Sequence, residues 1–322
     1  MAATIIDAAD TLWIMGLKDE YEQASEFIRD NFDIKKATGQ LSVFETTIRF
    51  VGGLLSLFSL TKEEFYLDKA KSIADALLKS FDTTTGIPKS LLNPLTGVAS
   101  NYQIANHSSI LAEFGTLHLE FAYLTEVTNE PIYLEKVQKI RDILDKAEKS
   151  EGLYPSFMSP ETGKFTYNFV TVGALADSFY EYLIKSWILS GKSDEQALRM
   201  HKSASDAIQN KGKDHAYLLR PEVLESFFYL WRLTRKEKYR EWVWDGISAI
   251  EKHCRIKTGG YSGLKNVYKP KEGHDDIQQS FFLAETLKYA YLTFADDSVP
   301  LDRWVFNTEA HPLPIKNAPI NP

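Results

Sequence analysis

The chain has 322 residues, of which 44% are hydrophobic and 25% are charged. These values are typical of a globular protein and exclude a disordered or collagen-like chain. The formal net charge is −7, which argues against a nucleic-acid partner because such a partner needs clustered positive charge. The single cysteine, Cys254, excludes an internal disulfide and a cysteine-based zinc cluster.

No stretch of the sequence reaches the roughly 18 uninterrupted apolar residues of a membrane-spanning helix. The longest candidate, residues 50–60, is shorter and contains glycines and serines. Residues 1–7 lack the basic and apolar regions of a signal peptide. We therefore expect no membrane span and no signal peptide in this chain.

An internal repeat organises the sequence. Apolar segments of about four helical turns begin beside a carboxylate, reach a short polar break and are followed by an amphipathic segment. The carboxylates are Asp10, Glu45, Glu113, Asp177, Glu222 and Glu285. Glu45 and Glu113 are 68 residues apart, whereas the interval from Asp177 to Glu222 is only 45 residues.

Each repeat unit is predicted to be an αα-hairpin with a buried first helix and an amphipathic second helix. Gly/Pro-rich segments between the hairpins predict turns and short strands. The pattern gives about eleven helices in total. Because one hairpin cannot bury its own apolar face, we predict an all-α fold, an α/α toroid, as a single barrel domain over residues 1–322. An open solenoid is the alternative, but it needs polar capping repeats, which are not evident.

In such a barrel the starts of the inner helices lie at one end, so their carboxylates could face one cavity. Helix capping is the competing interpretation for any single one of them, because the helix dipole favours negative charge there. A ring of buried carboxylates can perform acid/base chemistry on a glycosidic bond or hold a hard cation such as Ca²⁺. Arg49, four residues after Glu45, and Arg220, two before Glu222, could pair with a carboxylate or a substrate hydroxyl.

Seven segments resemble the class I α-1,2-mannosidases, glycoside hydrolase family 47. One is Val43-Phe44-Glu45-Thr46-Thr47-Ile48-Arg49 followed by Gly52-Gly53-Leu54-Leu55. The others are residues 4–17, 111–117, 176–182, 219–222, 280–286 and 306–312. The resemblance runs over nearly the whole chain in the family's order.

The resemblance implies an (α/α)₇ barrel, a bound Ca²⁺ and inverting removal of terminal α-1,2-linked mannose from a high-mannose oligosaccharide or glycoprotein. On the matching positions Glu45 looks like the general acid, and Asp177 and Glu222 look like the other catalytic carboxylates, with Glu222 the favoured base. Thr308, in the C-terminal segment 300–322, looks like the direct calcium ligand. Positions that match contacts to the sugar or to calcium-bound water are Arg49, Glu113, Arg220, Glu225, Phe281, Glu285 and Glu309. The family implies the lumen of the endoplasmic reticulum or Golgi, or secretion, and we expect a monomer.

The shortened interval between Asp177 and Glu222 departs from the family pattern. Compared with the family, we expect a whole hairpin to be missing here and the family's additional first helix to be missing from this sequence, roughly three helices in all. Two alternatives therefore stay open. One is a truncated, non-catalytic relative or mannose-binding module, and the other is an α/α-barrel enzyme that acts on a different small molecule.

Overall fold

The structure, a computed structural model, describes residues 2–207 and 216–318 and is mostly helical. The α-helices are α1 (Ala3–Met15), α2 (Lys18–Asn31), α3 (Val43–Glu45), α4 (Gly52–Thr61), α5 (Glu64–Leu77), α6 (Leu111–Phe114), α7 (His118–Thr128), α8 (Ile132–Lys146), α9 (Asp177–Leu189), α10 (Glu195–Ala207), α11 (Glu222–Thr234), α12 (Lys238–Cys254) and α13 (Leu287–Phe294). Two π-helical segments, Thr46–Val51 and Phe282–Thr286, lead into α4 and α13. Among these described helices, eleven α-helices have eight residues or more, which is the number that the repeat predicts.

The returns between hairpins contain short strands, as the Gly/Pro-rich segments predict. The described strands are β1 (Leu41–Ser42), β2 (Leu91–Leu92), β3 (Ala99–Ser100), β4 (Ser109–Ile110), β5 (Phe157–Met158), β6 (Trp304–Phe306) and β7 (Pro312–Pro314). All of their pairings are antiparallel: β1–β2–β3 form one small sheet, and β4–β5 and β6–β7 form two pairs. The connection between β6 and β7 carries Thr308 and Glu309, two of the predicted site residues.

The chain divides into two compact units. The first comprises Glu26–Gln209 and Arg303–Pro322, and the second comprises Ala2–Ser25 and Asn210–Asp302. In the first unit α4 packs on α5, α7 on α8 and α9 on α10; in the second α11 packs on α12, and α13 packs against both. The predicted αα-hairpins are therefore confirmed. A single barrel domain over 1–322 stays a prediction.

Burial follows the predicted division between first and second helices. In α4 every residue from Gly52 to Leu57 is buried. In α8 the buried residues include Tyr133, Val137, Ile140 and Leu144, a spacing that places them on one helical face. The apolar first helix thus lies in the core, and the amphipathic second helix covers it.

One helical stretch among the described residues, Val43–Thr61, is long and apolar enough to cross a membrane by length and composition alone. It is longer than the candidate 50–60 because the helix also includes the segment with Glu45 and Arg49. Of its most apolar window, 72% is buried inside the protein. The stretch packs as a core helix of the first unit.

Two helices differ from the sequence prediction. Asp10 does not begin a helix but lies inside α1, where its carboxylate pairs with Lys288; this cation allows a carboxylate to be buried within the helix. The helix at Glu113 is interrupted, since α6 ends at Phe114 and α7 begins at His118. Gly115 lies in the break, and a Cβ there would be only 2.6 Å from Phe179 Cδ2.

Candidate active site

Carboxylates occupy first helical turns at four of the predicted positions. Glu45 is in α3, Glu113 in α6, Asp177 is the first residue of α9 and Glu222 the first of α11. The α3 start is capped by Ser42, whose Oγ accepts a hydrogen bond from the Glu45 N–H at 3.1 Å, and such a cap favours a helix start at this point. The predicted helix starts are thus confirmed at these four carboxylates, whereas Glu285 lies within the π-helical segment before α13.

In the first unit Arg49 joins two of the predicted carboxylates. Its Nε donates to Glu45 Oε2 at 2.7 Å, and its Nη1 donates to Glu309 Oε1. The Glu309 side chain is only 3% exposed, whereas that of Glu45 is 48% exposed. Arg49 therefore neutralises a buried carboxylate and links the start of the core helix to the β6–β7 turn.

Glu113, and not Glu45 as expected, is the more buried of these two carboxyls. A general acid at Glu45 would be favoured by a buried helix start, but Glu45 is exposed. Glu113 is partly buried, and burial raises its pKa to about 7, a rise to which the nearby negative charge of Glu45 adds. Interactions with Ser90 and Tyr102 oppose the rise. A carboxyl that holds a proton close to neutral pH thus lies at Glu113.

Asp177 and Glu181 lie one turn apart on α9. Asp177 is exposed at the helix start, and its Oδ1 accepts a hydrogen bond from the Ser178 N–H at 3.1 Å. Glu181 accepts a hydrogen bond from the Thr308 hydroxyl at 2.8 Å and pairs with Lys185. The sequence analysis did not single out Glu181, although its position four residues after Asp177 places it on the same helical face.

The surroundings of Thr308 have the chemistry that a hard cation requires. The Thr308 hydroxyl lies against the Glu181 carboxylate, and Glu309 is the next residue in the chain. All three side chains carry oxygen donors, which Ca²⁺ prefers. Within the described ranges no group of three or more His, Cys, Asp or Glu side chains could hold a metal ion. The oxygen donors at Thr308 are compatible with a hard cation, and a bound Ca²⁺ stays a prediction.

The second unit holds the remaining predicted residues. Arg220 Nη1 lies 3.2 Å from Glu222 Oε1, and their side chains are 53% and 59% exposed, so this ion pair contributes little to stability. Glu225 Oε1 accepts a hydrogen bond from the Tyr289 hydroxyl at 2.9 Å. Glu285 is buried, and the half-buried Phe281 immediately precedes its π-helical segment.

Solved structures share this fold. An α-1,2-mannosidase from Trichoderma reesei superposes with a TM-score of 0.85 at 25% identity, over 98% of this chain and 90% of that one. This match confirms the predicted α/α-toroid class. A cellobiose 2-epimerase from Spirochaeta thermophila shares the fold alone, with 12% identity and a TM-score of 0.63 over 92% of this chain and 86% of that one.

The sequence defines the family. Residues 1–215 and 209–315 match glycosyl hydrolase family 47, and the chain belongs to that family. It is 46% identical to mannosyl-oligosaccharide 1,2-alpha-mannosidase mans-2 of Caenorhabditis elegans, over 98% of this chain and 69% of the relative. It is 44% identical to mannosyl-oligosaccharide alpha-1,2-mannosidase IA of Drosophila melanogaster, over 99% of this chain and 61% of the relative.

The chain therefore spans about two thirds of the length of the curated relatives it matches. The alignment with the nematode relative has 407 positions but includes 98% of the 322 residues here, so about 90 positions have no counterpart in this chain. The two family matches meet at residues 209–215, between Asp177 and Glu222. This break coincides with the interval that the sequence analysis finds shortened.

Proposed function

We propose that the chain is a Ca²⁺-dependent, inverting exo-α-1,2-mannosidase domain that removes terminal mannose from high-mannose N-glycans. The observation that supports this most strongly is the Arg49 bridge, which brings Glu45 beside Glu309 in a member of glycosyl hydrolase family 47. The names of the nematode and fly relatives give the linkage and the mannosyl-oligosaccharide substrate. The glycan-processing role of such enzymes leads us to propose the endoplasmic reticulum, the Golgi or the secretory route as its location.

Inversion requires a carboxylic acid that protonates the leaving oxygen and a carboxylate that activates water on the opposite side of the sugar. We assign Glu222 as the base, with the positive charge of Arg220 beside it. Asp177 is exposed at the start of α9, where a carboxylate is stabilised by the helix dipole. We assign Asp177, in the first unit, as a further catalytic carboxylate.

The acid has two candidates. The resemblance assigns Glu45, which reaches solvent beside Arg49. Glu113 is the alternative, since burial raises its pKa to about 7, and a general acid works best with a pKa near the working pH. The two candidates differ in the variant that loses turnover. If Glu113 is the acid, Glu113→Gln should lose most of its kcat, whereas if Glu45 is the acid, Glu45→Gln should do so and Glu113→Gln should retain turnover.

Thr308 would hold the cation through its hydroxyl oxygen, with Glu181 and Glu309 next to it. Calcium, when bound, would supply a positive charge that orients sugar hydroxyls and water. From the second unit we assign Glu225, Glu285 and Phe281 to contacts with calcium-bound water and with the sugar ring. Arg49 would orient the Glu309 carboxylate.

The direct test is incubation of the protein with mannose-α-1,2-mannose, with and without a chelator. We expect release of mannose that stops on chelation, and a first-formed mannose of inverted configuration by proton NMR. Retained configuration would refute the mechanism.

The shortened interval between Asp177 and Glu222, where the two family matches meet, favours a second candidate, a non-catalytic mannose-binding relative. Calorimetric titration with the same disaccharide separates the two. Binding without release of mannose in the presence of calcium would support the non-catalytic relative.

A further inference from the structure

Asn307, which immediately precedes Thr308, uses all of its hydrogen-bonding capacity. Its Nδ2 donates to the Ile48 carbonyl and to Glu120 Oε1, both at 2.9 Å. Its Oδ1 accepts from the N–H groups of Glu309, at 2.9 Å, and His311, at 2.8 Å. Two acceptors on one side and two donors on the other determine the orientation of the amide.

The core helix is shaped to receive this amide. The Ile48 carbonyl belongs to the π-helical segment Thr46–Val51, and such a widened turn changes the local pairing of backbone carbonyls. Gly52, at the start of α4, supplies the space, because a Cβ there would lie 2.4 Å from Asn307 Nδ2. The glycine is thus needed for close approach.

Glu120 of α7 is completely buried and acts through one oxygen. Its Oε1 accepts from Asn307 Nδ2 and from the Tyr182 hydroxyl, the latter at 2.6 Å, while Oε2 has no partner among the described residues. The Tyr182 oxygen in turn accepts from the Thr308 N–H at 3.3 Å. The carboxylate therefore holds the turn at two points, through Asn307 and through Tyr182.

We infer that Asn307 and Glu120 are positioning residues that hold the Thr308–Glu309 turn in the geometry required to bind the cation. This inference rests on the proposed calcium site at Thr308. A positioning role requires an acceptor oxygen at Glu120 and no negative charge. Glutamine at position 120 keeps that oxygen and should therefore preserve the geometry of the turn, whereas leucine should not.

The test compares calcium affinity, measured by calorimetric titration of metal-stripped protein, among wild type, Glu120→Gln, Glu120→Leu and Asn307→Asp. We expect Glu120→Gln to stay within about threefold of wild type. Glu120→Leu and Asn307→Asp should bind calcium at least about tenfold more weakly, as is common when a partner behind a metal ligand is lost. Gly52→Ala should weaken calcium binding to a similar extent. The matched control is Gly39→Ala, because nothing lies within 4 Å of a Cβ added there.

A second readout does not depend on calcium. In metal-free protein, amide hydrogen exchange of residues 307–311 should be faster in Glu120→Leu than in Glu120→Gln, with exchange in α8 unchanged. If Glu120→Leu does not fold, Asn307→Asp takes its place in both measurements, since its second carboxylate oxygen would face the Ile48 carbonyl and Glu120.

The outcomes separate this inference from the proposed function. Absence of calcium binding by the wild type would refute the proposed metal site, and the exchange data would still decide whether Glu120 orders the turn. Calcium binding by the wild type together with unchanged affinity in folded Glu120→Leu and Asn307→Asp would overturn the inference. So would a loss of affinity in Glu120→Gln as large as that in Glu120→Leu, because the charge would then be what matters.

Discussion

Lys288 Nζ donates to Asp10 Oδ1 at 2.8 Å, although 278 positions separate the two residues. Both side chains are completely buried in the second unit. Taking two charges out of water costs about as much as their attraction returns, so such a pair adds little net stability, yet loss of one partner leaves a charge buried. Correct packing of α1 against the π-helical segment before α13 therefore requires this ion pair to form.

Replacement of Lys288 by methionine is expected to lower the free energy of unfolding by about 3–5 kcal/mol, because Asp10 loses this cation. Urea denaturation followed by circular dichroism measures the change. Lys288→Met combined with Asp10→Leu should recover part of the loss. Lys265→Met, at an exposed lysine, is the control, and a loss in the control as large as in Lys288→Met would contradict the argument.

Stability should depend on pH through Glu113. Burial raises the pKa of its carboxyl from 4.5 in the unfolded chain to about 7 in the folded protein. The folded state then binds more protons between these values, so this stability is present below pH 4.5 and lost as the pH rises through 7. Relative to wild type, Glu113→Gln should gain about 2–3 kcal/mol in unfolding free energy between pH 5 and pH 8. An equal difference between variant and wild type at both pH values would refute the assignment.

Calcium should raise the melting temperature of metal-stripped protein, because a ligand that binds only the folded state stabilises it by mass action. At a calcium concentration 100 times the Kd the gain is about 2.7 kcal/mol. Thr308→Ala should remove most of this rise, whereas Thr162→Ala, at an exposed turn threonine, should retain it. Differential scanning calorimetry with and without calcium makes the comparison.

Glu222→Gln is expected to abolish mannose release and to leave disaccharide binding largely intact, since glutamine keeps the shape of the base but cannot accept a proton. We expect kcat to fall by at least about 10²-fold, with the Kd for mannose-α-1,2-mannose nearly unchanged. The matched control is Glu64→Gln, also a carboxylate at an exposed helix start, the first residue of α5. A Glu222→Gln variant with wild-type kcat would remove Glu222 from the catalytic set.

The repeat of carboxylate, apolar segment and amphipathic segment was sufficient to predict the class of fold and the helix starts at Glu45, Glu113, Asp177 and Glu222. Periodicity carries this information because a buried helix must be apolar on nearly all sides and its partner on only one. The same pattern was wrong at Asp10, which resembles the other carboxylates in sequence but lies within α1. Its buried partner, Lys288, is too distant in the chain for any local pattern to indicate.

Family motifs singled out the candidate site residues, including Thr308 and Glu309, but not Glu120, which we infer to position them. Glu120 resembles any other glutamate on a helix until packing places its Oε1 beside Asn307 Nδ2. Burial was likewise decided by tertiary structure, which exposed Glu45 and covered part of Glu113. The local sequence pattern determines which segments form helices. The desolvation of side chains and the hydrogen bonds between distant segments depend on how those helices pack.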